Sequence, residues 1–271
     1  MYSGTTLTKL SGRVMGAHQK IDRISRRHLA LVTGDGHLFP SIRTILQFEG
    51  KNGPDGIKRK SPSQDEPWHF YSPFNDSDSQ LSELIMEHYR LLVVHLRADN
   101  KERAAFEAAW LAHALVDGLT PAHHYPYEEA LSDIRGVTDA RKTIKEKIVM
   151  PGENRREKVK NNWKMWGPKG LLTTHGLFEI GIASIIKPLN FPDALPSEAE
   201  LKEVIEIGPV ERFKRTAREI AVLDMYNRYY RRGWTTRLAL DVRQRLIPAV
   251  IKTVTLAWYA ALVEAERLQP K

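Results

Sequence analysis

Apolar residues recur at three- and four-residue intervals along most of the chain, whereas strict apolar/polar alternation is scarce. That spacing predicts a predominantly helical protein. One helix is expected over about 17–32. A second covers about 80–98, with Leu81, Leu84, Ile85, Leu91 and Leu92 as its apolar positions, and an alanine-rich third covers about 101–117. A fourth spans about 171–187, and residues 198–232 read as one or two helices with a break near Gly208 and Pro209. The last, about 235–267, is expected to kink or break at Pro248, because proline lacks a backbone donor and clashes with the preceding turn.

Two stretches lack this periodicity. Residues 50–79 bring Gly, Pro, Ser, Asp and Lys in quick succession and read as a long loop with a functional role. Residues 132–170 are strongly basic, with Arg135, Arg141, Lys142, Lys145, Lys147, Arg155, Arg156, Lys158, Lys160, Lys164 and Lys169, and read as a helical or mobile surface insertion. No internal repeat is apparent. The expected architecture is an all-α, compact multi-helix domain spanning residues 1–271.

Composition narrows the chemistry. The 271 residues contain no cysteine, which excludes disulfides and thiolate metal sites and leaves imidazole and carboxylate as ligands. A net charge of +8 favours anionic partners such as phosphate esters, nucleic acid or anionic lipid. With 42% hydrophobic residues and no continuous run of about eighteen apolar ones, no transmembrane segment is expected. Residues 1–20 show no apolar leader, so the chain is expected to be cytoplasmic or an already processed secreted form.

Against this background, His113, Asp117 and His123 form a His-x3-Asp-x5-His pattern. Residues four apart share a helix face, so His113 and Asp117 can reach one cation together. Gly118 and Pro121 then turn the chain and let His123 approach from another direction. His175 and Glu179 repeat the four-residue spacing on a separate helix, and the 50–79 loop adds Asp55 and His69, with Asp65 as a competitor for the role of Asp55. One such pair alone is as well explained by a buried His–acid contact. Two pairs with His123 point to metal.

In this order, the residues resemble the zinc-dependent phospholipase C family and, more distantly, the single-strand-specific zinc nucleases that share its fold. In that family a helical His-x3-Asp followed by Pro-x-His is preceded by a loop Asp and His and followed by His-x3-Glu or His-x3-Asp. Asp55, His69, His113, Asp117, Pro121, His123, His175 and Glu179 match this pattern, and Glu179 leans toward the phospholipase branch. The resemblance implies that Asp55, His69, His113 and Asp117 hold one zinc ion and that His123, His175 and Glu179 hold a second. A third zinc in the family is bound by an early His, the bridging Asp and an amino-terminal Trp. His18 matches the early His and Asp117 can bridge, but the first Trp of this chain is Trp68; Asp22 is a candidate substitute.

What this implies is a zinc-dependent phosphodiesterase that cleaves a phospholipid head group with metal-bound hydroxide, Asp55 also serving as general base. Zinc lowers the pKa of bound water to about 7, and paired cations stabilise the phosphate oxygens and the leaving alkoxide. Two alternatives stand beside it, a nuclease acting on single-stranded nucleic acid and a metal-stabilised binding protein without turnover. The basic insertion is expected to be a solvated face, with contact to nucleic acid or an anionic membrane as the sharper readings. His28, His88, His95 and His124 are expected to be structural, solvated or outer hydrogen-bonding residues, and His37 lies in a glycine-rich turn. Trp163, Trp166, Trp234 and Trp258 are expected to anchor the core.

Overall fold

A computed structural model describes residues 1–4, 16–34, 38–60, 69–136 and 143–267. It is 76% helical, and no strand forms among the described residues. His37, Asp65, Arg141 and Lys142 lie outside them. In chain order the helices are α1 (Ala17–Thr33), α2 (Ile42–Ile45), α3 (Pro54–Lys60), α4 (Gln80–Arg97), α5 (Lys101–Gly118), α6 (Tyr127–Arg135) and α7 (Ile144–Ile148). There follow α8 (Arg155–Trp166), α9 (Leu171–Ile186), α10 (Glu198–Ile207), α11 (Pro209–Ala221), α12 (Met225–Arg232), α13 (Thr236–Asp241) and α14 (Ile247–Arg267).

The long helices form where the apolar spacing places them, and local chemistry sets their ends. Asn100 caps α5 by accepting from the Arg103 amide, and a Ser197–Glu200 capping box opens α10. Residues 198–232 make three helices rather than one or two. Gly208 at φ 82° separates α10 from α11, and Asp224 at φ 49° separates α11 from α12. The stretch around 50–60 is not a plain loop either: a 3-10 turn over Gly50–Asn52 leads directly into α3.

Pro248 does not break the last helix. A π-helical turn, Val242–Leu246, joins α13 to α14, and Gln244, whose carbonyl the proline ring would meet four residues back, lies inside that wider turn. The continuous Thr236–Arg267 helix is long and apolar enough by composition to cross a membrane, and 72% of its most apolar window is buried inside the fold.

α5 lies at the centre. Its alanines Ala104, Ala105, Ala108, Ala109 and Ala112 are buried, and small side chains let α1, α4 and α14 approach it closely. Trp258 of α14 is fully buried and donates its indole N–H to the Ala108 carbonyl at 3.1 Å. The main core takes residues from Met1 to Ala265. A second, smaller core of Phe70, Tyr127, Leu131, Ile134, Met150 and Met165 sits under α6 and α8.

The basic 132–170 stretch is helical in α7 and α8. Two of its tryptophans correct the sequence expectation. Trp163 is 67% and Trp166 43% exposed, so neither anchors the core, whereas Trp258 does. A helix that buries only Met165 has no interior in which to place them.

Candidate metal centre

Four separate elements bring the candidate ligands together: α1 supplies His18, the first turn of α3 supplies Asp55, α5 supplies His113 and Asp117, and α9 supplies His175 and Glu179. His123 comes from a 3-10 turn, Pro121–His124, that begins as soon as α5 ends. The junction is tight. A Cβ on Gly118 would lie 2.5 Å from the Leu81 side chain and 2.7 Å from the Phe213 ring, so a larger residue at the end of α5 would push on α4 and α11. Gly56 plays the same part beside Asp55, since a Cβ there would collide with the Lys51 carbonyl.

The ligand atoms fall into two groups. His18, Asp55 and His113 form one, and His123, His175 and Glu179 the other; within each, the ligand atoms lie within 4.8 Å of one another. Asp117 stands between them. Its Oδ2 is 3.3 Å from His113 Nε2, while its Oδ1 is 3.2 Å from His18 Nε2 and 3.8 Å from the His123 ring. In the second group, Glu179 Oε1 is 2.9 Å from His123 Nε2 and 3.2 Å from His175 Nε2. The rings of His18 and His113 stack at 4.0 Å, and those of His123 and His175 at 5.0 Å.

His69 sits differently from what the resemblance implies. Its ring lies 5.1 Å from that of His123, its carbonyl accepts from His123 Nδ1 at 3.0 Å, and it joins neither ligand group. The backbone reinforces that placement, because the Tyr71 amide donates to the His123 carbonyl. Asp22 also stays out of both groups. It is buried with neither carboxylate oxygen hydrogen-bonded, and burial together with nearby Glu49 pushes its pKa well up.

Two participants carried no signal in the sequence. Glu49 is 3% exposed and accepts from His113 Nδ1 at 3.1 Å, which leaves Nε2 facing Asp55 and Asp117. A carboxylate behind a ligand imidazole fixes its orientation and raises its basicity. Nothing in the local sequence Phe48-Glu49-Gly50 marks it, because the contact is made across 64 positions. The second is Met1, whose ammonium meets Asp117 Oδ1 at 2.5 Å and Glu179 Oε1 at 3.4 Å, while its carbonyl accepts from His18 Nε2 at 2.7 Å. These contacts are made by the backbone amine and carbonyl, not by the methionine side chain.

Electrostatics shows what the cluster demands. Burial alone would raise the pKa values of Asp117 and Glu179, but the Met1 ammonium and the surrounding imidazoles outweigh it and hold both well below the usual range. The Met1 amine is raised to about 10, Asp117 and Glu179 overcoming its burial, and His113 is raised well above an ordinary histidine, Glu49 and Asp117 overcoming its own. His123 is the opposite case: burial lowers it to about 4, so it is neutral at pH 7. Its Nδ1 lies 3.0 Å from the His69 carbonyl and its Nε2 2.9 Å from Glu179, so both ring nitrogens face acceptor oxygens. A neutral imidazole has one proton for those two acceptors, so one of its nitrogens is left with a lone pair beside an oxygen.

The donor set fits zinc. Ligand atoms ~2.1 Å from a tetrahedral zinc stand ~3.4 Å apart. The His113–Asp117, His18–Asp117 and His175–Glu179 separations of 3.3, 3.2 and 3.2 Å match that spacing before any adjustment. Asp55 is the most open of the ligands, with 27% of its side chain exposed against 4% for His113 and Asp117. Compared with known proteins, the chain matches no family model, no curated protein and no solved structure.

Proposed function

We propose that this protein is a zinc-dependent phosphodiester hydrolase of the phospholipase C type. The observation that carries the reading is the position of Asp117, whose Oδ2 lies 3.3 Å from His113 and whose Oδ1 lies 3.2 Å from His18 and 3.8 Å from His123 of the other group. A carboxylate so divided suits a centre of two or more close cations, the arrangement that clamps a phosphoryl group. His18, Asp55, His113 and Asp117 would hold zinc on one side, and Asp117, His123, His175 and Glu179 on the other, with His69 beside His123. Zinc held there supplies an acidified water and charge to offset the phosphate oxygens and the leaving alkoxide.

The remaining chemistry belongs to the chain. Asp55, open to solvent on the first turn of α3, accepts a proton from the attacking water and orients it. Glu49 holds the His113 ring with Nε2 turned toward the centre. The rings of Tyr127 and Phe70, 5.5 Å from His175 and 5.6 Å from His123, wall one side and exclude water there.

The test is release of phosphorylated head group from a phosphatidylcholine-type lipid beside cleavage of a single-stranded oligonucleotide, each with and without chelator. Chelator-sensitive release from the lipid supports the reading. Preference for the oligonucleotide would make the protein a nuclease, and no turnover of either with zinc bound would make it a metal-stabilised binding protein.

A further inference from the structure

α8 is a helix almost without an interior. Of its twelve residues only Met165 is buried, in the smaller core. Helices are normally held by burying an apolar stripe, so one that turns its apolar residues outward has that stripe available for something else. At 100° per residue, Val159, Trp163 and Trp166 fall within a ~60° sector of the helix surface. They are 63%, 67% and 43% exposed. Lys158 lies on one side of this stripe and Lys160 and Lys164 on the other, with Arg155 and Arg156 at its amino-terminal end, against the one carboxylate of Glu157.

α7 extends the patch. Trp166 donates its indole N–H to the Ile148 carbonyl at 2.7 Å, fastening α7 to the end of α8. Ile144 and Ile148, one helical turn apart, are 47% and 49% exposed, with Lys145 and Lys147 on the same short helix.

We propose that this face docks the protein on an anionic lipid bilayer, with Trp163, Val159 and the two isoleucines entering the headgroup boundary and the lysines and arginines meeting lipid phosphates. Tryptophan suits that depth because its ring is apolar and its N–H is wet. Aliphatic lysine stems bury beside it while their ammonium groups stay in water. The competing partner is single-stranded nucleic acid, which would use the cations and the two indoles but gives no role to Val159, Ile144 and Ile148. The aliphatic members decide for lipid.

The face is joined to the candidate centre through the smaller core. Met165 packs there with Phe70 and Tyr127, and those two rings stack on each other at 5.1 Å beside His123 and His175. Docking through α8 would therefore bring the ligand cluster close to lipid head groups. This last step rests on the phosphodiesterase reading; the docking itself does not.

The experiment is cosedimentation of the full chain with phosphatidylcholine vesicles and with vesicles containing 30 mol% phosphatidylserine, in chelator so that no turnover contributes. Partitioning onto the anionic vesicles is expected to be at least ~10-fold stronger and to fall steeply in 0.5 M salt, as screening demands. Trp163→Ala combined with Val159→Asn, and separately Lys160→Glu with Lys164→Glu, are each expected to lower it ~10-fold or more with unchanged thermal midpoints. Equal partitioning onto both vesicle types, none onto either, or variants that bind like the parent would overturn the proposal. So would release from anionic vesicles by a micromolar single-stranded oligonucleotide. Loss of docking with turnover of a short-chain soluble phosphodiester intact would separate failure here from failure of the catalytic reading.

Discussion

α5 takes part in two buried histidine–carboxylate arrangements that differ in what surrounds them. Nearly two turns into the helix, Glu107 reaches across to His88 of α4, with Oε2 2.7 Å from His88 Nδ1 and Oε1 3.2 Å from Arg103. Each carboxylate oxygen has one partner, and no third ligand type converges. At the other end, His113 and Asp117 meet His18, His123, Asp55 and the Met1 ammonium from four other segments. The first arrangement is closed by the protein's own side chains. The second gathers imidazoles and carboxylates from separate elements, and His123 has an acceptor oxygen at each ring nitrogen. Convergence from separate elements, more than residue type, distinguishes a candidate metal site from a structural pair.

That contrast predicts opposite mutant behaviour at the two ends of α5. His113→Ala should abolish zinc binding on its side and lower turnover by ~10³-fold or more, equivalent to ~4 kcal/mol of barrier. Elemental analysis beside a lipid-hydrolysis assay checks both halves. His88→Ala should do the reverse. Removing the imidazole leaves one buried Glu107 oxygen without its partner while Arg103 holds the other, and should cost ~2 kcal/mol in denaturant unfolding with zinc content unchanged. If His88→Ala lost metal and His113→Ala did not, the contrast would be inverted.

Glu49→Gln sharpens it further. The amide keeps the shape but loses the charge behind His113, so zinc affinity should fall 10–100-fold in a competition titration with the fold retained. An unchanged affinity would reduce Glu49 to a packing residue.

The smallest expected effect lies next to the centre. His124 Nε2 donates to the Gly118 carbonyl at 2.8 Å, and burial lowers its pKa to about 4. Because its folded pKa lies below the unfolded value of about 6.5, the unfolded chain takes up the proton first. Stability carried by this residue is therefore full above about pH 6.5 and is lost as pH falls toward 4, by on the order of 1–3 kcal/mol. Urea melts of His124→Gln should show a flatter profile across that window. A slope identical to the parent's would assign the loss to other groups.

Much of this was readable from spacing. The helices α1, α4, α5 and α9 stand within a residue or two of their apolar periodicity, because in each the pattern and the burial share one period. The four-residue pairs on α5 and α9 were visible for the same reason. What stayed hidden depended on distance or on main chain. Glu49 touches its partner 64 positions away, and Met1 contributes backbone atoms that no residue type reports. The exposed Trp163 and Trp166 went against the usual burial of tryptophan, since only the packing of α8 reveals which side of it has a neighbour. Pro248 was recognised as a perturbation but not how it is absorbed, which depends on the π turn before it.

The central claim is that Asp117 serves two cations at once. Zinc titration of the metal-stripped protein, followed by calorimetry and checked by elemental analysis, tests it directly. The account predicts at least two equivalents bound per chain, with Asp117→Ala losing affinity at both groups while His175→Ala weakens only the second. Fewer than two equivalents in the parent, or an Asp117→Ala variant that binds zinc as the parent does, would contradict it.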